Sequence, residues 1–134
     1  ELEKLHEQMS DAATTHAFDR YFPLNFSFHE LIVDAAGNSA LARAIDMNNR
    51  LPFAAPSTML PMQNADNERQ QWMVYAHLQH HTLVHVMEKG EGARAQALMQ
   101  EHVSVAQMNL DHALEQPETA AQFLPAMRLM FGHH

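Results

Sequence analysis

Cysteine is absent from this 134-residue chain. That excludes a disulfide framework and a thiolate metal site, so any transition metal would have to be held by His, carboxylate or amide groups. Basic residues are scarce: eight Lys and Arg stand against sixteen Asp and Glu, for a formal net charge of −8. With no basic run and no basic–aromatic interleaving, the chain should repel a phosphate backbone rather than bind it. The four glycines are isolated, no phosphate-cradling loop is present, and neither a nucleophile elbow nor a Ser-His-Asp arrangement can be found. No apolar run approaches the roughly 20 residues of a membrane span, and no signal-peptide pattern opens the chain. A cytoplasmic location is expected. Internal repeats, low-complexity tracts and alternating strand-like runs are missing too, while 46% of residues are hydrophobic, enough for one domain with one core.

What is present reads as helix. Leu2, Leu5 and Met9 mark the apolar face of an opening helix that ends near Ala13. A second begins at Phe18 and is interrupted or restarted at Pro23. It carries Leu24, Phe28, Leu31, Ile32 and Ala35 at helical spacing and stops at Ala36-Gly37-Asn38. A third runs from about Asn38 to Leu51 with Leu41 and Ile45 inward. The proline-punctuated stretch from Pro52 to Pro61 is apolar for a loop and suits a pocket cover. Trp72–Met87 and Arg94–Leu114 are proline-free and helix-favouring. A last helix from Glu118 to Met130 would turn Phe123, Met127 and Met130 inward, with Pro125 bending or shortening it. The predicted fold is an all-α antiparallel bundle of about six helices around a central ligand or metal cavity.

Histidine is abundant, with eleven copies. His133 and His134 follow Gly132 and are expected to be the stub of a purification tag. Of the others, His80 and His102 stand out. Lys89-Gly90-Glu91-Gly92 is too short a turn for anything but an antiparallel helical hairpin. Reflection about residue 91 places His80 opposite His102, each roughly 16 Å from the turn at about 1.5 Å per residue. Two imidazoles at one level of a bundle are a metal-site geometry. Asn25 and His29, four apart, share a helix face and can grip one ion together. His77, His81 and His85 form a rival stripe, expected to be solvated surface. The ten methionines are core filler for the most part, although Met47, Met59, Met62, Met73 and Met99 suit an adaptable pocket wall. Arg50, beside the apolar loop, could clamp a carboxylate with its planar fork, and Arg43 competes for that role against the ordinary reading of both as surface residues. Asn49 and Gln79 could add neutral hydrogen bonds to the same ligand.

The run Asn25-x-x-Phe28-His29, then Ala36-Gly37-Asn38-x-x-Leu41, then Gln79-His80 with Ala93, and Met99-Gln100-Glu101-His102 ending 22 residues after His80, resembles the FCD domain. That domain is the C-terminal sensor of FadR-type regulators in the GntR family of bacterial transcription regulators, and the likeness covers roughly Glu1 to Leu114. It implies an antiparallel helical bundle in which many members hold a divalent metal with one Asp and three His; others bind no metal. The implied His positions are His29, His80 and His102, and Asn25 occupies the Asp position. An amide oxygen is neutral, so zinc or nickel here would stay uncompensated, which weakens affinity or raises the demand for an anionic ligand. The resemblance also implies a homodimer, and DNA contact through a winged helix-turn-helix domain outside this fragment. The chain opens at Glu1 in helical register, and that domain and a first sensor helix are expected to lie upstream.

The function expected is effector sensing: a small carboxylic acid binds at the metal and Arg50 and shifts the DNA affinity of the attached domain. Phe28, Phe53, Trp72 and the methionines favour a partly apolar or aromatic acid. Binding should fall below about pH 6, where free imidazoles take protons. Two alternatives stand beside this. A three-His site with an open position also serves metal-dependent hydrolases, but Glu30 and Glu101 are offset by about 100° from His29 and His102 on their helices, leaving no persuasive general base, and no enzyme is expected. A ligand-free dimerisation module would instead have a dry core between the hairpin helices.

Overall fold

The structure, a computed structural model, describes residues 1–50 and 67–115; the proline-punctuated stretch and the helix expected at 118–130 lie outside them. Among the described residues there are five helices and no strand: α1 (Leu2–Thr14), α2 (Phe18–Ala35), α3 (Ser39–Asn49), α4 (Asn67–Glu88) and α5 (Gly92–Glu115). None of them is long and apolar enough to cross a membrane.

α1 and α2 pack side by side through Met9, Ala12, Tyr21 and Phe28, which join Leu83, Val84 and Val86 of α4 in the core. Pro23 interrupts nothing. α2 runs through it as one helix, with Tyr21, Asn25 and Phe28 buried on both sides of it. The proline leaves one carbonyl unpaired near the helix start, and burial of residues at i, i+4 and i+7 holds the helix together across it. α2 ends at Gly37, whose φ of +64° is left-handed. The Asn38 side chain then caps α3 by accepting the Ala40 and Leu41 amides at 3.1 and 3.0 Å. α3 buries no residue; Leu41, expected inward, is 46% exposed. Its backbone approaches only that of α2 among the described residues.

The hairpin forms as the short turn requires. Gly90 takes φ +70°, its amide donates to the Met87 carbonyl at 3.0 Å, and the Glu91 amide donates to Val86 at 2.9 Å. A side chain at that φ would be strained, which is why glycine closes α4. α4 is the central helix, packed on α5 and on α1. Its buried residues, from Arg69 and Met73 to Val84 and Val86, spread over much of its circumference, so its sequence shows little amphipathic contrast. No Cα of α2 lies within 8 Å of α4 or α5 among the described residues. The space between α2 and the hairpin is bridged by side chains instead, and there the site forms.

Candidate metal and effector site

Each of the three helices around that space contributes one imidazole: His29 from α2, His80 from α4 and His102 from α5. One ring nitrogen from each can be chosen so that all lie within 4.8 Å of one another. The ring centroids are 4.5 Å apart for His80–His102, 5.2 Å for His29–His80 and 5.3 Å for His29–His102. The Nε2 atoms of His80 and His102 approach to 3.1 Å. Two nitrogens sharing one tetrahedral zinc at about 2.0–2.1 Å would stand about 3.3 Å apart, so the register set by the turn delivers a usable pair.

Gln79 is buried beside the cluster. Its Oε1 lies 2.9 Å from His102 Nδ1. A carboxamide oxygen can only accept, so His102 carries its proton on Nδ1 and presents the Nε2 lone pair toward His80. This is how metal-binding imidazoles are oriented from behind. Among the described residues, four further buried atoms around the cluster have no hydrogen-bond partner: Asn25 Oδ1, His29 Nε2, His80 Nδ1 and Gln79 Nε2. Folded proteins leave few such atoms, and an amide oxygen and an imidazole nitrogen four residues apart on α2 are the donors a cation would satisfy.

Among the described residues the cluster contains no carboxylate, and its imidazoles are held neutral. Burial pushes His29 down to about 4, helped by the neighbouring His102. Burial also pushes His80 to about 2, with His102 and His29 adding to it, and His102 to about 4. The onset of acid release expected near pH 6 therefore moves down, because these nitrogens do not take protons there.

Arg43 and Arg50 are exposed and Asn49 is half-buried on α3. Arg50 already binds a carboxylate, donating to Asp46 Oδ2 from Nε at 3.1 Å and Nη2 at 2.9 Å. No described hydrogen bond or ion pair joins these three residues to the histidines. Glu30 and Glu101 are exposed as well. Of the rival stripe, His85 and His81 are exposed, but His77 is not solvated surface. Its Nε2 lies 3.0 Å from Ser10 Oγ and its Nδ1 3.3 Å from the Tyr21 hydroxyl, and His6 stacks on its ring at 5.1 Å. The packing of α1 on α4 creates that contact, and sequence periodicity does not identify packing partners. Sequence reasoning also passed over Arg69, buried in α4 and donating to Asn109 Oδ1 of α5 at 3.2 Å. The same hairpin reflection could have paired them, to within about one turn. Between the hairpin helices the core thus combines apolar packing with buried polar contacts through His80, Gln79 and Arg69.

A helical bundle whose centre holds a carboxylate-free histidine cluster, gripped from three helices, has the construction of a ligand-binding domain. The FCD domain model matches residues 1–105, a span that contains all three histidines. The chain belongs to the FCD family, the effector-binding domains of GntR-type regulators, which bind small molecules and work with a DNA-binding domain. Comparison with curated proteins and with solved structures gives no match.

Proposed function

We propose that this domain senses a small carboxylic acid through a divalent metal, zinc or nickel, held by His29, His80 and His102 with Asn25 as a neutral fourth donor. The observation that carries this is the convergence of one half-buried and two buried imidazoles, held neutral and two of them with facing Nε2 atoms, beside Asn25 Oδ1, which has no hydrogen-bond partner among the described residues. When bound, the metal supplies a double positive charge that no carboxylate of the cluster offsets among the described residues, and an acid can complete it.

The chain's own residues do the rest. Gln79 fixes the His102 ring. His29 lies on α2, while His80 and His102 lie on the hairpin, so filling the site ties together two parts of the bundle whose backbones stand apart. The effector then favours one packing of α2 against the hairpin over others, a population shift passed to the attached DNA-binding domain. A homodimer in the cytoplasm fits this role. Arg50 joins the acid only by releasing Asp46, an exposed pair of a kind worth about 0.3–0.5 kcal/mol; Arg43 and Asn49 are weaker candidates on the same helix. The family assignment favours sensing over hydrolysis.

The test is metal content by inductively coupled plasma mass spectrometry on protein lacking His133 and His134, beside His80→Ala and His102→Ala. About one zinc or nickel per chain, lost in both variants, supports the proposal. Absence of metal from unmodified protein purified without chelator refutes it.

A further inference from the structure

We infer that the acid sensed here carries an apolar tail, lodged in a groove between α2 and the α4–α5 hairpin directly beside the histidines. This deepens the preceding proposal and rests on it. The groove has a volume of about 340 Å³ and is lined by Ile32, Leu83, Met87, Ala95, Gln96, Met99 and the hairpin glycines. Its position follows from the histidines themselves. Ile32 lies three residues after His29, Leu83 three after His80, and Met99 three before His102. Because α4 and α5 are antiparallel, the last two offsets point the same way, toward the turn. Each imidazole thus has an apolar side chain about 4.5 Å below it on its own helix, and Met87 and Ala95, seven residues from His80 and His102, lie about 10 Å below.

The lining decides the chemistry. Among the described residues, Gln96 is its one polar side chain and no charged group lines it. A second carboxylate would lose water there without gaining a partner, whereas methylenes would bury apolar surface. The distance of about 10 Å from the histidine level to Met87 and Ala95 is longer than the hydrocarbon tail of hexanoate. Met87 and Met99, unbranched and half-buried, can adapt to a straight or an aryl tail. The wide spacing of the α2 and hairpin backbones keeps the groove open. The occupant is a monocarboxylate with a hydrocarbon tail, not a compact di- or tricarboxylate.

Isothermal titration of the zinc-loaded 134-residue chain with acetate, butyrate, hexanoate, pentanoate and glutarate tests this. Affinity should rise about fourfold per methylene up to hexanoate, and pentanoate should bind more tightly than glutarate, its equal in length. In Ala95→Phe, whose ring fills the groove, the hexanoate-to-acetate affinity ratio should collapse toward one. A melting curve checks that this variant folds, and if it does not, the series on unsubstituted protein decides alone. Equal affinity at every length, or glutarate matching pentanoate, overturns the groove and leaves the metal site standing. Hexanoate binding equally well to metal-free protein supports the groove and removes the metal from the preceding proposal. Failure of every acid to bind removes both.

Discussion

Three imidazoles folded away from water make the metal-free domain acid-labile, and the size of the effect follows from where they titrate. In the unfolded chain each takes a proton near pH 6.5, whereas in the folded domain His29 and His102 do so at about 4 and His80 at about 2. Between these limits the unfolded state binds more protons, so stability falls as pH falls. Little is lost at pH 7. At pH 5 each imidazole has cost about 2 kcal/mol and the three together about 6, at roughly 1.4 kcal/mol per pH unit each. Below about pH 4 the losses from His29 and His102 level off. His6 and His77, lowered by burial first and by neighbouring histidines second, act with the same sign. Against a typical total of 5–15 kcal/mol, this removes a large share of the stability of the metal-free domain by pH 5. Urea titrations followed by circular dichroism, in EDTA at about pH 7, 6 and 5, would show the midpoint moving steeply down, and His80→Leu should reduce the slope by about a third. Zinc held at the proposed site, which only the folded chain assembles, should raise the midpoint at pH 7. A midpoint unchanged between pH 7 and 5 would refute the claim that these rings are buried and neutral.

Asn25→Asp should tighten zinc binding by about tenfold or more, read by competition with a chelator, because it adds the missing negative charge. The same variant should be less stable than the unsubstituted chain without metal, since the carboxylate is then buried among neutral rings. Gln79→Leu should weaken zinc about 10- to 100-fold with the helical spectrum unchanged, as removal of an orienting partner does at metal sites. Phe28→Ala should lower stability by about 3–5 kcal/mol in urea, because Phe28 is fully buried against the core and the His80 ring at 4.9 Å.

The hairpin was legible because its determinants are local: a four-residue turn with glycine where left-handed backbone is needed, between two proline-free segments. That alone fixes the register that brings His80 to His102. The beginning of α4 was less legible. Its first turns, from Asn67 to Gln71, carry no apolar period, yet the helix starts there and buries Arg69 against α5 through Asn109, a polar contact that hydrophobic patterning cannot register. The role of His77 depended on which helix covers α4, a long-range fact that only packing decides. His29 entered the site through the family resemblance, because α2 is remote from the hairpin in sequence and no turn fixes their relative height.

Asn25 carries the argument furthest. Periodicity pointed to Leu24, Phe28, Leu31, Ile32 and Ala35 as the inward stripe of α2. The structure instead buries Tyr21, Asn25 and Phe28, leaves Leu24, Leu31 and Ile32 half-buried and exposes Ala35. The inward line is rotated by about one position, and it places a carboxamide between two aromatic residues with its oxygen unpartnered. An unsatisfied buried acceptor costs about 1–3 kcal/mol, and an apolar side chain at that position would remove the cost. The penalty is offset when the oxygen meets a cation. Because an amide brings no charge of its own, a metal held there would gain most from an anion that follows it in, and under the proposed function that coupling would make an acid a signal.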